Sequence, residues 1–495
     1  MTFTHVELRA AYADSVTLLQ VSRTVADLPG VLAAQVAMAT PLNVDVLAGM
    51  GFEVPAEATP NDMVVALRVA AEDDLPDALA GVAAALADSS RRPTGGAAEV
   101  APHRTTAAAL READTDAIAL VSVPGDLALL EAMDAVETGH DVMVFSDNMP
   151  VEQEVALKTA AATRGVLVMG PDCGTAVVGS VGGGPASGGL GLGFANVVSP
   201  GPVGIVAASG TGTQQLLALL DHAGVGVTAA LGVGGRDLSA AVGGLSTREA
   251  LRRLDADDEV ERIVLLSKPA AAEVAARIEE YAERLATPVT FALLGAGAPD
   301  LTASAEAVLT ELGVTVPDWP VAGSARPVAG GRFLRGLFVG GTLCDEAMLI
   351  AASVLGPVRS NIPLSPEDAL PATLTAAAHT FVDFGDDALT VGRAHPMIDP
   401  TLRLDHLART AADPETAVIL MDVVLGHGAE ADPTAALAPA LAGIERPVVI
   451  SLIGTSGDTQ GYQRQVAALV SVGAEVHLSN AGATRRALAL LETLS

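Results

Sequence analysis

The sequence is poor in aromatic residues and almost free of cysteine. Aromatic side chains make up 3% of the 495 residues, so the core must be built from small and aliphatic side chains, as in layered α/β domains. The two cysteines, Cys173 and Cys344, lie far apart and form no metal-ligand pattern. This spacing excludes a disulfide framework and does not indicate zinc binding. We therefore expect no bound metal and a reducing compartment.

Positive charge is also scarce. The chain has 28 Lys and Arg against 59 Asp and Glu, for a formal net charge of -31, and such a field repels nucleic acids and anionic lipids. The only lysines are Lys158 and Lys268. We expect neither nucleic acid nor membrane as a partner. Any anion site must rely on backbone N–H groups and a few arginines.

Long apolar segments are absent as well. Residues 1–14 carry polar and charged side chains without the apolar core of a signal peptide, and no apolar run of about 18 residues is free of glycine or charge. The sequence therefore predicts a cytoplasmic protein that is neither secreted nor membrane-spanning.

What the sequence does contain is a series of α/β patterns, which its length divides among several domains. Residues 1–90 predict a small α+β, ferredoxin-like module with a first strand at residues 16–21. Residues 91–104 are rich in Gly, Pro and Arg and predict a linker. Three β/α domains follow, over residues 105–200, 201–325 and 330–495, with strands that are short continuous apolar runs, as in parallel sheets.

The second and third β/α domains open in the same way. Each has a buried strand that leads through small residues into an amphipathic helix, in GIVAASGTGTQQLL and GLFVGGTLCDEA. Glycine allows close approach to a ligand, and the first N–H groups of a helix favour an anion. The alternative is ordinary helix capping. The predicted phosphate-binding residues are Ser209, Gly210, Thr211, Gly212, Thr213, Gly340, Gly341 and Thr342.

Five segments resemble the FdrA family, whose members are similar to succinyl-CoA synthetase, an NDP-forming acyl-CoA ligase. The segments are GPDCGTAVV, GLGFANVVSPGPVGIVAASGTGTQQLLALL, GVGGRDLS, VGGTLCDEA and DDALTVGRAHPMIDPTLR. The resemblance implies a Rossmann-like, CoA-binding-type domain over residues 105–200. It implies two flavodoxin-like, succinyl-CoA-ligase-type domains over residues 201–325 and 330–495. In the ligase, the two corresponding helix starts hold a phosphohistidine.

The sequence departs from the ligase pattern in two places. No histidine follows the strand predicted at residues 289–294, and residues 105–116 lack the glycines that cradle the phosphate of CoA. No ATP-grasp region is present either. We therefore expect neither a phosphoenzyme nor CoA binding. His427, in Gly-His-Gly-Ala, lies in the other ligase-type domain, and we interpret it as a loop residue.

Members of the FdrA family are implicated, with two companion subunits, in oxamate carbamoyltransferase of allantoin catabolism. The resemblance thus implies phosphorolysis of oxalurate to oxamate and carbamoyl phosphate in a hetero-oligomeric complex. Phosphate or carbamoyl phosphate would be the small anionic substrate, without a cofactor, and self-association is expected. The alternatives are a subunit of an acyl-CoA synthetase and a non-catalytic scaffold.

Roles follow for the remaining polar residues. Arg236 and Arg393 are candidates for neutralising charge, and His395 with Asp399 for acid/base catalysis. The alternative for the His395 loop is a rigid packing turn. Cys173 is a candidate nucleophile or a buried structural thiol, and Cys344 lies where a helix dipole would lower a thiol pKa. Candidates for binding substrate are Asn148, Asn196 and Gly235.

Overall fold

The computed structural model describes residues 2–11, 13, 15–26, 28–90, 103–179, 189–390 and 394–493. The chain divides into two compact units, Met1–Pro102 and His103–Ser495. Both contain helices and sheets, which confirms the predicted α/β class. Within the described residues, no helix is long and apolar enough to cross a membrane.

The N-terminal unit is a three-stranded antiparallel sheet with helices. The central strand is flanked by the other two, in the order β1-β3-β2. The elements are β1 (Phe3–Arg9), α1 (Ser15–Ala26), β2 (Val31–Met38), α2 (Pro41–Gly49), β3 (Met63–Val69) and α3 (Leu75–Ser90). All residues of β3 but one are buried, as its apolar sequence MVVALRV requires.

The strand predicted at residues 16–21 is wrong, because that segment belongs to helix α1. Leu18, Val21 and Val25 recur with helical spacing, and all three are buried on the side of α1 that packs on the sheet. The first strand is instead β1, with the sequence FTHVELR. This sequence lacks the continuous apolar run that marks an interior strand, and the side chains of β1 are accordingly only partly buried.

The second unit begins with a small parallel sheet, β4-β5-β6, with helices between its strands. The elements are α4 (Thr106–Leu110), β4 (Ile118–Val121), α5 (Gly125–Thr138), β5 (Asp141–Val144), α6 (Val151–Ala162) and β6 (Val168–Met169). This is the segment for which a Rossmann-like domain is expected, and its described part holds three strands.

A six-stranded mixed sheet follows, in the order β12-β11-β9-β10-β7-β8. Strands β9 to β12 are parallel, whereas β7 pairs antiparallel with both β8 and β10. The elements are β7 (Thr175–Val178), β8 (Leu190–Gly193), β9 (Val203–Ala208), α7 (Gly210–His222), β10 (Val227–Gly232), α8 (Leu245–Asp255), β11 (Arg262–Ser267), α9 (Ala272–Ala282), β12 (Val289–Leu293) and α10 (Leu301–Glu311).

The last part of the chain forms a seven-stranded sheet, in the order β13-β19-β18-β17-β14-β16-β15. It is parallel except for β13 at one edge. The elements are β13 (Val321–Ala322), β14 (Phe333–Phe338), α11 (Gly341–Leu355), β15 (Arg359–Ser360), β16 (Thr380–Asp383), α12 (Asp387–Thr390), α13 (Thr401–Ala412), β17 (Thr416–Val424), α14 (Pro433–Leu441), β18 (Val448–Ile453), α15 (Tyr462–Ser471), β19 (Glu475–His477) and α16 (Asn480–Glu492).

Four helices join the two larger sheets. Helices α7 and α10 follow strands of the six-stranded sheet, α11 and α16 follow strands of the seven-stranded sheet, and these helices pack on one another. A buried polar network crosses this layer. The Asn480 side chain donates to Glu346 Oε2 over 2.6 Å, and its backbone N–H donates to Gln215 Oε1 over 2.9 Å. This packing fixes the relative position of α7 and α11, and so of their N-terminal ends.

Candidate functional site

The two predicted helix starts meet in the structure. Ser209 Oγ, which precedes α7, donates to Thr342 Oγ1 in the first turn of α11 over 2.7 Å. A Cβ atom on Gly340 would lie 2.8 Å from Thr211 Oγ1. The structure therefore brings the two predicted segments together. Their own side chains fill the space between them, so an anion must lie beside the contact rather than inside it.

Several N–H groups of the predicted phosphate-binding residues already have acceptors. The N–H of Gly212 donates to Ser209 Oγ over 3.0 Å, and the N–H of Thr213 donates to Ser209 O over 3.4 Å. The N–H of Gly340 donates to Asp422 Oδ2 over 2.9 Å. The backbone N–H groups of four residues have no acceptor within the described part of the chain: Gly210, Thr211, Gly341 and Thr342. Each of these four residues therefore keeps an N–H group for a ligand.

A lysine and an aspartate that were not predicted lie at the start of α11. A Cβ atom on Gly341 would lie 2.7 Å from Asp383 Oδ2 and 3.1 Å from Lys268 Nζ. Lys268 Nζ also lies 3.5 Å from Asp345 Oδ2. Glycine at position 341 therefore leaves room for an ammonium group and a carboxyl group against the first helical residue. We call Lys268, Asp383, Asp345 and Gly341 the α11 crevice.

Lys268 and Asp383 carry signals that sequence reasoning missed. Lys268 is one of two lysines in the chain and comes directly after the apolar strand β11. Asp383 ends the buried strand β16, whose other residues are Thr, Phe and Val. In parallel sheets, ligands lie at the carboxyl ends of strands. Each residue was therefore in a recognisable position, but only the packing of two different sheets brings them together.

Burial shifts the protonation of the α11 crevice. Asp383 is 4% exposed, and burial raises its pKa to about 7 although Lys268 acts to lower it. Burial lowers the pKa of Lys268, but Asp345, Asp383 and Asp172 outweigh this and raise it overall. At neutral pH the lysine is therefore charged, whereas Asp383 exchanges between its protonated and ionised forms. A carboxyl group with such a pKa suits proton transfer.

Asp383 is held on two sides. Its Oδ1 accepts the N–H of Gly385 over 2.9 Å. Asn361 binds its backbone through two hydrogen bonds, Asn361 Nδ2 to Asp383 O (2.8 Å) and Asp383 N to Asn361 Oδ1 (2.9 Å). These contacts keep the carboxyl group at the crevice.

His395 lies at the edge of this crevice as a neutral side chain. Its Nδ1 accepts the N–H of Met397 over 3.2 Å, which leaves the hydrogen of a neutral ring on Nε2. A Cβ atom on Gly385 would lie 2.8 Å from that Nε2. Burial lowers the pKa of His395 to about 4, and its ring lies 5.4 Å from the ring of Phe194. His395 can therefore donate a hydrogen bond near Asp383, and its ring is uncharged near pH 7.

Among the described residues, no side-chain hydrogen bond joins His395 and Asp399, the two candidates for acid/base catalysis. Asp399 Oδ1 accepts the N–H of Thr401 (3.0 Å) and its hydroxyl (2.6 Å), at the start of α13. Asp399 is linked to His395 by a backbone hydrogen bond, Asp399 N to His395 O, of 3.0 Å. Asp399 thus fixes a helix start. Arg393 lies outside the described residues.

Arg236 and Gly235 lie close to a further aspartate, Asp172. A Cβ atom on Gly235 would lie 3.7 Å from Asp172 Oδ2. The Asp172 side chain reaches solvent, but much protein lies around it. The resulting desolvation, together with the negative charges of Asp387 and Asp147, raises its pKa to about 7. Arg236 is held by Glu154 Oε2 (3.0 Å) and by Met149 O (2.7 Å). These two contacts join Arg236 to the α6 region rather than to either helix start.

The two thiols are structural. Cys173 is buried, its Sγ donates to Thr175 O over 3.5 Å, and burial raises its pKa to about 12. Burial also raises the pKa of Cys344 well above its ordinary value, with Asp383 and Asp345 acting in the same direction. The predicted lowering by the helix dipole is wrong, because burial removes the water that would solvate the thiolate, and this outweighs Lys268, which acts to lower the pKa. The raised pKa of Cys173 does not favour a nucleophilic role at neutral pH.

The remaining predicted residues have other positions. Asn196 is buried, and its Nδ2 donates to Leu425 O (3.0 Å) and Asp458 Oδ2 (2.8 Å), so this group joins segments that are far apart in the chain. Asn148 is exposed in the turn after β5, with a φ of 56°. His427 is exposed, and its N–H donates to Ala195 O over 2.8 Å, as a loop residue does.

Two family models match the chain. A model described as "CoA-ligase" matches residues 337–490, and one described as "AllF, heavy metal-associated domain" matches residues 1–102. YahF of Escherichia coli, described as uncharacterized, is 37% identical over 493 residues, which cover 93% of each chain. Subunit alpha 2 of the ADP-forming succinate–CoA ligase of Archaeoglobus fulgidus is 30% identical over 39% of this chain and 63% of that subunit.

Among solved structures, a dinucleotide-forming acetyl-coenzyme A synthetase from Ca. Korarchaeum cryptofilum, in complex with phosphate and ADP, is 17% identical. The match covers 81% of this chain and 88% of that chain, with a TM-score of 0.31.

Proposed function

This chain belongs to the FdrA-like family of proteins related to succinyl-CoA synthetase, and from that premise we propose that it transfers an acyl-type group to or from phosphate in the α11 crevice. The observation that carries the proposal is the meeting of Lys268 Nζ, the Asp383 carboxyl group and the first residue of α11 at Gly341. The ammonium group and the free N–H groups of the helix start would neutralise a phosphate anion.

The proposed step needs one nucleophile and one proton. A phosphate oxygen attacks the carbonyl carbon, the bond from that carbon to the leaving atom breaks, and the leaving atom takes up a proton. Lys268 would hold the phosphate, and Asp383, whose pKa is raised to about 7 by burial, would give the proton to the leaving atom. His395 Nε2–H would donate to an oxygen of the bound group. In the reverse direction, Asp383 takes the proton back.

The first candidate is a subunit of an acyl-CoA synthetase, in which the leaving atom is the sulfur of CoA. The CoA-ligase family model over residues 337–490 and the similarity to succinate–CoA ligase subunits support this candidate. It requires CoA to reach the crevice. The segment 105–116 lacks the glycines of a CoA-phosphate turn, so CoA would need a different mode of binding.

The second candidate is a subunit of an oxamate carbamoyltransferase that works with companion subunits. Here phosphate attacks the ureido carbon of oxalurate, the bond to the oxamate nitrogen breaks, and that nitrogen takes the proton. The absence of any histidine between His222 and His379 in the sequence favours this candidate, because phosphate would then remain free instead of passing to a histidine. Neither a cofactor nor a nucleotide is needed.

The N-terminal unit does not fit a metal-binding role. Soft heavy metals prefer thiolate ligands, and residues 1–102 contain no cysteine and one histidine, His5. His5 Nε2 lies 3.3 Å from Glu7 Oε2. We therefore derive no metal chemistry from the family model that matches this unit.

The candidates are tested by measuring turnover with the companion proteins present. Carbamoyl phosphate with oxamate should release phosphate if the second candidate is right, whereas ATP, CoA and a carboxylic acid should give a thioester if the first is right. In either assay Lys268→Met should lower turnover by roughly ten-fold or more, since a charged hydrogen bond contributes about 1.5–3 kcal/mol. Arg284→Met removes an exposed i,i+4 pair with Glu280 and serves as the control. Full activity of Lys268→Met would contradict the proposed site.

A further inference from the structure

The start of α11 lacks a cap of its own. Ser209 caps α7 with its hydroxyl, which accepts the N–H of Gly212. At α11 the corresponding position is Gly340, which has no side chain to do this. The turn into α11 must therefore be held by another part of the protein.

A carboxylate from the neighbouring strand holds this turn. Asp422 lies on β17, which pairs with β14, and its side chain is fully buried. Its Oδ1 accepts the N–H of Val339 over 2.8 Å, and its Oδ2 accepts the N–H of Gly340 over 2.9 Å. Both oxygens thus bind consecutive N–H groups that precede the helix.

Arg403 balances the charge of this carboxylate. Its Nη1 donates to Asp422 O over 2.7 Å and to Asp422 Oδ1 over 3.1 Å, and only 5% of its side chain is exposed. Burial raises the pKa of Asp422 to about 6, while Arg403 and the two backbone donors act to lower it. The pair is therefore largely ionised and close to neutral overall at pH 7, so it adds little negative charge to the helix start.

This arrangement differs from a hydroxyl cap in the backbone N–H groups that it binds. A hydroxyl cap accepts the N–H of the second or third helical residue, as Ser209 does with Gly212. Asp422 binds the two residues before the helix instead. The N–H groups of Gly341 and Thr342 consequently have no backbone or side-chain acceptor among the described residues. They remain available on the helix start that contacts Lys268 and Asp383.

We infer that Asp422 is the positioning residue of the anion site: from the neighbouring strand β17 it fixes the Val339–Gly340 turn, so that α11 presents unused N–H groups to phosphate. The inference rests on the proposed function only in its choice of phosphate as the anion. Asp422 itself touches no substrate.

Asp422→Asn tests this role, because asparagine keeps the size but turns an NH2 group toward one of the two N–H donors. Asp458→Asn is the matched control. Asp458 is also a buried carboxylate that accepts two backbone N–H groups, those of Val197 and Thr455, over 2.8 Å each. Two measurements are made on each full-length variant. One is hydrogen exchange of residues 339–344, and the other is the dissociation constant for inorganic phosphate.

In Asp422→Asn we expect faster hydrogen exchange at residues 339–344 and phosphate binding that is weaker by roughly ten-fold or more. In Asp458→Asn we expect wild-type values for both measurements. Unchanged exchange in Asp422→Asn, or an equal loss of phosphate binding in the control, would overturn the inference. If wild-type protein binds no phosphate, the proposed function fails, and the exchange data alone still decide whether Asp422 holds the turn.

Arg403→Lys provides a second variant if Asp422→Asn does not fold. It keeps the charge but loses the planar guanidinium group. Faster hydrogen exchange at residues 339–344, with a loss of phosphate affinity smaller than the roughly ten-fold expected for Asp422→Asn, supports the inference. Wild-type values for both would overturn it.

Discussion

Gly341→Ala is the sharpest perturbation of the α11 crevice, because the new methyl group would occupy the place where three groups meet. The Cβ atom would lie 2.7 Å from Asp383 Oδ2 and 3.1 Å from Lys268 Nζ. Lys268 has a flexible side chain and can move away. Asp383 cannot move easily, because Gly385 and Asn361 hold it.

The magnitude follows from the contacts that a bound phosphate would lose. Displacing Lys268 removes one charged hydrogen bond, of about 1.5–3 kcal/mol, which corresponds to a roughly 10- to 150-fold weaker affinity. Alanine also favours a helix over glycine by up to about 1 kcal/mol, which offsets part of the strain. Overpacking a filled site costs about 1–3 kcal/mol, so the free energy of unfolding should fall by roughly 0–3 kcal/mol.

Phosphate affinity is measured by titration calorimetry. Urea unfolding of the same samples gives the free energy of unfolding. Gly295→Ala is the control, since a Cβ atom there meets nothing within 4 Å. We expect the control to bind phosphate like wild type. Wild-type phosphate affinity in a folded Gly341→Ala protein would refute the position assigned to the anion. Unchanged turnover of the assembled complex would favour a scaffold role.

Two other predictions concern buried titratable groups. Burial raises the pKa of Asp383 to about 7, above the value of about 3.9 in the unfolded chain. Between these two pH values the folded state binds a proton that the unfolded state has lost. The free energy of unfolding therefore falls as pH rises through this range, by on the order of 1.4 kcal/mol for each pKa unit. Asp383→Asn should therefore gain stability relative to wild type between pH 4 and pH 8 in urea unfolding, and a pH-independent difference would contradict the shift. Cys173 and Cys344 are buried with raised pKa values, so a thiol reagent should label neither in the folded protein and both in urea. Rapid labelling before unfolding would contradict that burial.

The interior of the fold could be predicted because parallel strands buried on both faces are continuous apolar runs. Strands β9 and β17, for example, are buried at every residue, and their sequences VGIVAA and TAVILMDVV are nearly continuous apolar runs. The edge strand β1 could not be recognised in this way, because its half-exposed side chains interrupt the apolar pattern. The run at residues 16–21 was misassigned because a short apolar segment fits a helix as well as a strand.

The site was predictable to the extent that its signals are local. Ser, Thr and Gly after a buried strand mark a helix start within one sequence segment, and the structure brings the two starts into contact. The position of Lys268 and Asp383 depends on how the six-stranded and seven-stranded sheets pack, which no single segment encodes. The same holds for Asp422, whose two backbone N–H donors, on Val339 and Gly340, are 82 or more positions away in the chain.

The most direct test of the account is to locate a bound anion. Arsenate has the shape and charge of phosphate and can be found in crystals by its anomalous scattering. The account predicts an arsenate site beside Gly341, in contact with Lys268 Nζ and the first N–H groups of α11. A site confined to residues 209–213, or no site at saturating arsenate, would contradict it.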